Sequence, residues 1–413
     1  MFLGVPVPAI LLLTLGIIAL ILAVNSRWPR TRGRIMFFSW PLAWFLTELA
    51  LHFSVLLVLV GAVLIWAGAL GSAVGWAGAV TLLAGVALIL APGVKALTTP
   101  ITVTPPLPGR FIEERHQYPR LHVLLPPLAW WRRDVEKRNN ITYHRIGNLE
   151  LKLDATLPKK PYPGKRPAII NVHGGGWTTG SRKEQGVPLI GHLAANGWVG
   201  FNVDYRLSPR ATWPEHIVDV KRAILYIRAH AADFGIDPGF IAITGGSAGG
   251  HLSSLAALTG NDPALQPGFE DADTSVAACV PFYGVYDFVD DERVLSPGVR
   301  WIVQRMVFKR RRGEDPEPFR QASPLHRMTR DAPPFFVIHG VNDSLITVEE
   351  ARRFVRKLQD VSGQPAYYTE LPGGQHAFDM IPSVRTIRVL DSVHLFLDVL
   401  WREHCTQNQK PSC

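Results

Sequence analysis

Cysteine is scarce in this chain. Only three of the 413 residues are cysteines, namely Cys279, Cys405 and Cys413. An odd and scattered set of this kind gives neither a disulfide framework nor the spacing of a metal site. Cys279, inside an apolar strand pattern, is most simply a small core residue. The sequence therefore predicts no metal site, and nothing in it implies a cofactor.

Charged residues are missing from two long segments. Gly4–Val24 is an uncharged apolar run, and residues 49–94 contain no Asp, Glu, Lys or Arg. One membrane-spanning helix needs about 20 apolar residues. The first run therefore predicts one spanning helix, and the second predicts a helical hairpin that turns near Gly71-Ser72. We expect residues 1–94 to form an all-α membrane region with three transmembrane helices.

A cleaved signal peptide is the alternative interpretation of the first run. However, Met1–Ile10 has no basic residue, and no Ala-x-Ala-like cleavage site precedes residue 27. The first connection carries four arginines, Arg27, Arg30, Arg32 and Arg34. Since the hairpin turn carries no charge, the positive-inside rule places this connection on the cytoplasmic side of the cell membrane. After three spans, the C-terminal domain is expected on that side too.

Residues 35–50 do not fit the pattern of a simple span. They are rich in Phe and Trp but also contain Pro41 and Glu48. Aromatic rings favour the headgroup zone, and a carboxylate is costly in hydrocarbon. We therefore interpret the segment as an interfacial helix. If it spanned the membrane, the C-terminal domain would lie on the other side.

The rest of the chain divides into a linker and one large α/β domain. Residues 95–140 are rich in proline without sustained periodicity, which predicts a linker that also contributes to a cap. Over residues 141–405, strand and helix patterns alternate as in a mostly parallel, doubly wound sheet, with an antiparallel hairpin at one edge. The predicted strands are Ile141–Ile146, Leu149–Ala155, Ala168–Val172, Trp198–Val203, Ile241–Thr244, Val276–Phe282, Phe335–Ile338 and Ala366–Leu371. The main predicted helices are Ile190–Asn196, Pro214–Phe234, Ala248–Leu258, Val348–Val361 and Ser383–Trp401.

A Gly-x-Ser-x-Gly pattern stands between a predicted strand and a predicted helix, at Gly245-Gly246-Ser247-Ala248-Gly249. A strand that reverses sharply into a helix forces the middle residue into a strained conformation and exposes its hydroxyl group. This context makes Ser247 the candidate nucleophile. A glycine-rich loop that merely connects the two elements is the structural alternative.

A second glycine-rich loop, His173-Gly174-Gly175-Gly176-Trp177, follows another predicted strand. Acyl transfer through a serine needs backbone N–H groups directed at the developing oxyanion. We expect the amides of Gly175, Gly176 and Ala248 to donate these hydrogen bonds, while Gly174 shapes the turn of this oxyanion hole. A phosphate-binding loop is the alternative, but no Gly-Lys-Ser/Thr follows.

A nucleophilic serine also needs a base and a group that orients the base. Asp343 and His376 each follow a predicted strand, and carboxyl ends of parallel strands meet at the ligand-binding edge of such sheets. The chain order Ser247, Asp343, His376 is the order expected for this kind of sheet. Taken singly, the two residues could be ordinary turn residues. His339 and His173 are rival bases, of which His173 is better placed to brace the glycine loop.

Four motifs together resemble those of the hormone-sensitive-lipase-like branch of the α/β-hydrolase esterases, in particular its membrane-anchored actinobacterial members. They cover about Ile141–Trp401 and are His173–Trp177, Asp204-Tyr205-Arg206-Leu207-Ser208-Pro209, Gly245–Gly250 and Gly374-Gln375-His376-Ala377-Phe378. The resemblance implies an α/β-hydrolase fold, a Ser247, Asp343 and His376 triad, an oxyanion hole from Gly175, Gly176 and Ala248, and no cofactor. This chain departs from the family at Gly246, where members commonly have Asp.

Three functions are compatible with these residues. The first is a carboxylic-ester hydrolase for short or medium acyl chains, and the second is an acyltransferase that passes the acyl group to a lipid or sugar hydroxyl. The third is a non-catalytic hydrolase-like module, which normally lacks a triad residue. The expected partners are an ester or lipid substrate and the membrane, with no nucleic acid, and the oligomeric state is not predicted.

The predicted sheet is interrupted at residues 290–328, where we expect a cap over the active site. This segment mixes apolar residues such as Trp301 and Ile302 with the basic cluster Lys309–Arg312. Such a composition suits the surface of an anionic membrane leaflet. An exposed basic loop without lipid contact is the alternative.

Overall fold

The computed structural model describes residues 4–30, 35–107, 118–162 and 164–408. Arg32 and Arg34 of the first connection and Cys413 lie outside these ranges. The helices are α1 (Val7–Arg27), α2 (Met36–Glu48), α3 (Ala50–Trp66), α4 (Ala73–Thr98), α5 (Arg120–Leu124), α6 (Val187–Ala195), α7 (Glu215–Ala229), α8 (Ala231–Phe234), α9 (Ala248–Leu258), α10 (Pro297–Ile302), α11 (Glu317–Gln321), α12 (Val348–Val361) and α13 (Val384–Gln407). The strands are β1 (Val135–Ile146), β2 (Leu149–Pro158), β3 (Arg166–Val172), β4 (Val199–Val203), β5 (Ile236–Gly246), β6 (Ala278–Phe282), β7 (Phe335–Gly340) and β8 (Ala366–Leu371).

Within the described residues, these strands form one eight-stranded sheet in the order β1-β2-β4-β3-β5-β6-β7-β8. The β1, β2 and β4 strands pair antiparallel, and the neighbours from β4 to β8 pair parallel. Buried apolar side chains form one cluster on each face of the sheet, beneath the flanking helices. The predicted α/β-hydrolase architecture, with its antiparallel edge hairpin, is confirmed. We refer to residues 135–408 as the hydrolase domain.

Two strands begin at least five residues earlier than predicted. β1 starts at Val135 rather than Ile141, within the segment predicted as linker, and its first residues pair with the end of β2. Most of that first half is exposed and polar, as is common on an edge strand, so no apolar alternation reveals it. β5 starts at Ile236 rather than Ile241. The sequence does not indicate this beginning because Pro238 and Gly239 are residues that strands disfavour.

In the part of the chain that the structure describes, two N-terminal helices, α1 and α4, are long and apolar enough to cross a membrane. The number of candidate spans rises to three if the bent pair of α2 and α3 counts as one span. The predicted hairpin is formed by α3 and α4. It turns through Ala69–Gly71, and the Ser72 hydroxyl group caps α4 by accepting a hydrogen bond from the N–H group of Gly75.

α1 and α4 pack closely and in parallel. A Cβ atom on Gly78 would lie 2.6 Å from the nitrogen atom of Leu13, and one on Gly85 would lie 2.9 Å from the Cβ atom of Ala19. The residue numbers of the contact positions therefore increase together along both helices, as in a parallel pair. Small residues at these positions let the two backbones approach closely. The C-terminal ends of α1 and α4 lie on the same side of the helix pair, towards the hydrolase domain.

α2 packs against the hydrolase domain as well as against the other apolar helices. It is bent by 88° from α3. The Glu48 carboxylate at its end is buried and forms an ion pair with Arg385, and it also accepts a hydrogen bond from the Ser383 hydroxyl group. The interfacial location predicted for residues 35–50 stays a prediction. The structure gives the Glu48 carboxylate a partner near the start of α13.

Cys405 is disulfide-bonded, whereas Cys279 is a free, buried cysteine in β6. The core role predicted for Cys279 is confirmed. The expectation that the cysteines form no disulfide is wrong at Cys405, since an odd and scattered set of cysteines gives no pairing signal in the sequence.

Candidate active site

Ser247 occupies the sharp turn between β5 and α9. Its φ angle is 58° and its ψ angle is −119°, so a non-glycine residue holds a positive φ at this turn. The predicted strained conformation is confirmed. At Gly249 a Cβ atom would collide with the carbonyl oxygen of Val172, which explains the second glycine of the motif. Ser247 is partly exposed although the residues on both sides of it are buried, so the turn presents its side chain at the sheet edge.

The glycine loop after β3 lies directly against this turn. A Cβ atom on Gly174 would lie only 3.2 Å from the Cβ atom of Ser247. The N–H group of Gly174 donates a hydrogen bond to the Gln185 side chain, 2.6 Å away, so it shapes the loop and is not available to a substrate. The N–H groups of Gly175, Gly176 and Ala248 donate no hydrogen bond to any residue that the structure describes.

His173 braces this loop, as predicted. Its Nδ1 atom lies 2.7 Å from the carbonyl oxygen of Gly174, and its ring stacks on Tyr205 with 4.4 Å between centroids. Tyr205 donates a hydrogen bond to the carbonyl oxygen of His173. Burial lowers the pKa of His173. A neutral, buried and fully packed imidazole is a support for the loop rather than a base.

Asp343 and His376 lie in contact beyond the ends of β7 and β8. The His376 Nδ1–H group donates to Asp343 Oδ2 over 2.6 Å, and the backbone N–H groups of Leu345 and Ile346 donate to Asp343 Oδ1 over 2.9 Å. Burial opposes ionisation of this carboxylate, but the charges and hydrogen bonds of His376 and His339 outweigh it and lower the pKa of Asp343 to about 2. Asp343 therefore stays an anion that can orient and stabilise a protonated His376.

His339, the rival base, lies on the other side of the same carboxylate. It is completely buried, its Nε2 atom is 3.3 Å from Asp343 Oδ2, and the same atom is 2.9 Å from the carbonyl oxygen of Ile346. These contacts leave it without access to a substrate. It supports the Asp343 loop.

Tyr283 was not recognised in the sequence, and it connects the serine turn with the histidine. Its ring lies 4.6 Å from the His376 ring, and its hydroxyl group donates a hydrogen bond to Asp379. A Cβ atom on Gly246 would lie 2.7 Å from the Tyr283 Oη atom. Tyr283 thus fills the space that a side chain at position 246 would need, which explains the glycine at this position.

Replacing Gly246 by Ala should therefore destabilise the protein by about 1–3 kcal/mol, because a methyl group would force the Tyr283 ring out of place. Thermal unfolding of the detergent-solubilised chain measures this change. Gly313→Ala is the matched control, since a Cβ atom there would have no neighbour within 4 Å. Equal unfolding temperatures for the two variants would contradict the packing role given to Tyr283.

The Ser247 hydroxyl group makes no hydrogen bond with any described residue, including His376. Contacts between a nucleophile and its base are often long before a substrate binds. The structure thus places Ser247 next to the glycine loop and pairs Asp343 with His376, and Tyr283 contacts both parts of the site. Such an arrangement can support nucleophilic attack on a carbonyl group.

The chain is similar to known esterases. The BD-FAE family model matches residues 153–358. The chain is 47% identical over 281 residues to the probable carboxylic ester hydrolase LipM of Mycobacterium tuberculosis, covering 68% of this chain and 65% of that protein. It is also 43% identical over 271 residues to the esterase LipQ of the same organism, covering 65% of this chain and 64% of that protein. The chain thus spans slightly less than two thirds of each of these relatives.

Solved structures show the same fold. A truncated carbohydrate esterase from gut microbiota aligns with a TM-score of 0.56 and 25% identity, covering 64% of this chain and 96% of that one. A thermophilic esterase from Thermogutta terrifontis aligns with a TM-score of 0.53 and 25% identity, covering 65% of this chain and 92% of that one. Both alignments cover about as much of the chain as the hydrolase domain represents.

Proposed function

The hydrolase domain belongs to the hormone-sensitive-lipase-like esterases of the α/β-hydrolase fold, and on this premise we propose that the protein is a serine carboxylic-ester hydrolase. One observation carries the proposal. The Asp343–His376 pair lies at the same sheet edge as a serine held in a strained turn. Oriented imidazole, exposed hydroxyl group and free backbone amides are what acyl transfer through a serine requires.

In the proposed reaction, the Ser247 Oγ atom attacks the ester carbonyl carbon while His376 Nε2 takes the hydroxyl proton. The amides of Gly175, Gly176 and Ala248 donate hydrogen bonds to the oxyanion of the tetrahedral intermediate. Collapse of this intermediate breaks the ester C–O bond, and His376 gives its proton to the departing alcohol. Water, deprotonated by His376, then attacks the acyl-enzyme and releases the carboxylic acid with regeneration of Ser247. No step calls for a cofactor.

Purified full-length protein should hydrolyse p-nitrophenyl esters to the free acid, in a reaction that Ser247→Ala abolishes. An acyltransferase with the same serine chemistry is the second candidate, and product analysis with an added lipid or sugar alcohol separates the two. Free acid as the main product supports the hydrolase. A new ester as the main product would replace it by the transferase, and no turnover of any ester would reject both.

We further propose that the apolar helices anchor the protein in the cell membrane with the hydrolase domain on the cytoplasmic face. Arg27 and Arg30 at the end of α1 support this orientation. The disulfide at Cys405 is the observation against it, since disulfides persist mainly in oxidising compartments. Protease added to intact cells should spare the hydrolase domain and digest it only after lysis. Digestion in intact cells would reverse the orientation.

A further inference from the structure

α2 touches the active site through one face. The Trp40 indole N–H group donates a hydrogen bond to the carbonyl oxygen of His376 over 3.3 Å, and the two rings meet edge-on with 6.0 Å between centroids. Phe37 lies three residues earlier and therefore on the same face of the helix. A Cβ atom on Gly298 of α10 would lie 3.0 Å from the Phe37 ring, so Phe37 packs against α10.

α10 continues this contact to the oxyanion loop. Ile302 lies four residues after Gly298, again on the same helical face. A Cβ atom on Gly176 would lie 3.8 Å from the Ile302 Cδ1 atom. Trp40 and Phe37 thus approach the site from the side of the histidine, and Ile302 approaches it from the side of the oxyanion hole.

The residues along this path are accessible, unlike their surroundings. Ser247, Gly176, Ile302 and Trp40 are all partly exposed, although the strands beneath them are completely buried. Further out, Phe37 is 47% exposed, Phe38 75% and Trp301 58%. Large exposed aromatic residues on α2 and α10 are typical of a surface that contacts an apolar ligand or lipid.

The basic cluster of the cap is less suited to this role. Arg310 lies 3.1 Å from Asp315, Arg311 4.0 Å from Glu314 and Arg312 3.8 Å from Asp291. Each of these arginines therefore has an acidic neighbour that offsets its attraction to an anionic leaflet. The apolar rim of α2 and α10 is the better candidate for contact with lipid.

Two further contacts hold the N-terminal segment in this position. The Asn342 side chain, next to Asp343, donates a hydrogen bond to the carbonyl oxygen of Arg27 at the end of α1, 3.2 Å away. At the other end of the segment, Glu48 is paired with Arg385. The path from α1 to α2 is thus attached beside both the acid and the base of the proposed triad.

We propose that α2 is one wall of the substrate site, that Phe37 and Trp40 bind the apolar chain of the ester, and that the substrate is a lipid-like ester delivered from the membrane surface. This inference rests on the proposed function and adds the substrate class and its specificity-determining residues. Each methylene group of a chain lying on these rings would leave water, which makes longer chains better substrates than acetate.

The test compares full-length wild type with Phe37→Ala and Trp40→Ala in detergent. Two panels of p-nitrophenyl and alkyl esters lengthen first the acyl chain from acetate to decanoate and then the alcohol. Leu42→Ala is the control, because Leu42 is on the same helix, is 48% exposed and points away from the face of Phe37 and Trp40. In at least one panel, the preference in kcat/KM for the longest over the shortest chain should fall about tenfold or more in the two site variants and stay unchanged in the control.

A second measurement does not depend on turnover. Calorimetry of decanoate with the Ser247→Ala variant should show binding that Phe37→Ala and Trp40→Ala each weaken and Leu42→Ala leaves unchanged. If wild type hydrolyses esters but neither chain preference nor decanoate binding depends on Phe37 or Trp40, the wall proposal is wrong and the proposed function stands. If no ester is hydrolysed but decanoate binding depends on both residues, the wall stands and the proposed function is wrong.

Discussion

Ser247→Ala should lower kcat for ester hydrolysis by about 10⁴-fold or more while the unfolding temperature stays that of the wild type. The reason is that a nucleophile, its base and the group that orients the base act as a unit, so loss of the first removes the covalent route entirely. His376→Ala should cost a similar factor. Steady-state kinetics with p-nitrophenyl butyrate, alongside thermal unfolding, measure both effects.

Asp343→Asn is the informative companion to these variants. The amide keeps the size of the side chain but cannot stabilise the imidazolium, and it favours the wrong tautomer of His376 across the 2.6 Å contact. Activity should again fall by about 10⁴-fold. His339→Gln, on the opposite side of the same carboxylate, should cost far less, because the buried His339 ring supports the Asp343 loop and has no access to a substrate. Equal losses of activity from both substitutions would mean that His376 has been wrongly assigned as the base.

Glu48→Ala should reduce the free energy of unfolding by about 3–5 kcal/mol, because it leaves the buried guanidinium group of Arg385 without its counter-charge. The two side chains are only 1% and 5% exposed, so water cannot replace the lost partner. Thermal unfolding in detergent, followed by tryptophan fluorescence, reports the change.

The control for this prediction is the double variant Glu48→Met, Arg385→Met. Replacing a buried ion pair by apolar residues of similar volume is often neutral or stabilising, so the double variant should recover most of the stability lost in the single one. A double variant as unstable as Glu48→Ala would mean that the ion pair is not what connects α2 with the hydrolase domain.

Local patterns predicted much of the sheet and the candidate site. The turn at Ser247, the glycine loop and the positions of Asp343 and His376 each follow a buried apolar strand, and their chemistry is written in residues adjacent in sequence. Parallel strands then bring these turns to one edge of the sheet. No comparable local signal marks Tyr283, which acts through contacts with residues far away in the chain.

The contacts of α2 also join residues that are far apart in the chain, and no local sequence pattern predicts them. Glu48 and Arg385 are separated by 337 positions, and Trp40 and His376 by 336. In the sequence, Glu48 is only a charge in an aromatic segment, which suggests a headgroup location. Its actual partner depends on how the apolar helices pack on the completed sheet, and no pattern within either segment encodes that packing.

Mapping the site of covalent labelling tests the central claim most directly. The full-length protein is treated with a fluorophosphonate, which phosphonylates activated serines, and the modified peptide is identified by mass spectrometry. We expect one label per chain on Ser247, and none in the His376→Ala variant because the serine is no longer deprotonated. Labelling of another serine, or of none in a wild-type protein that hydrolyses esters, would contradict it.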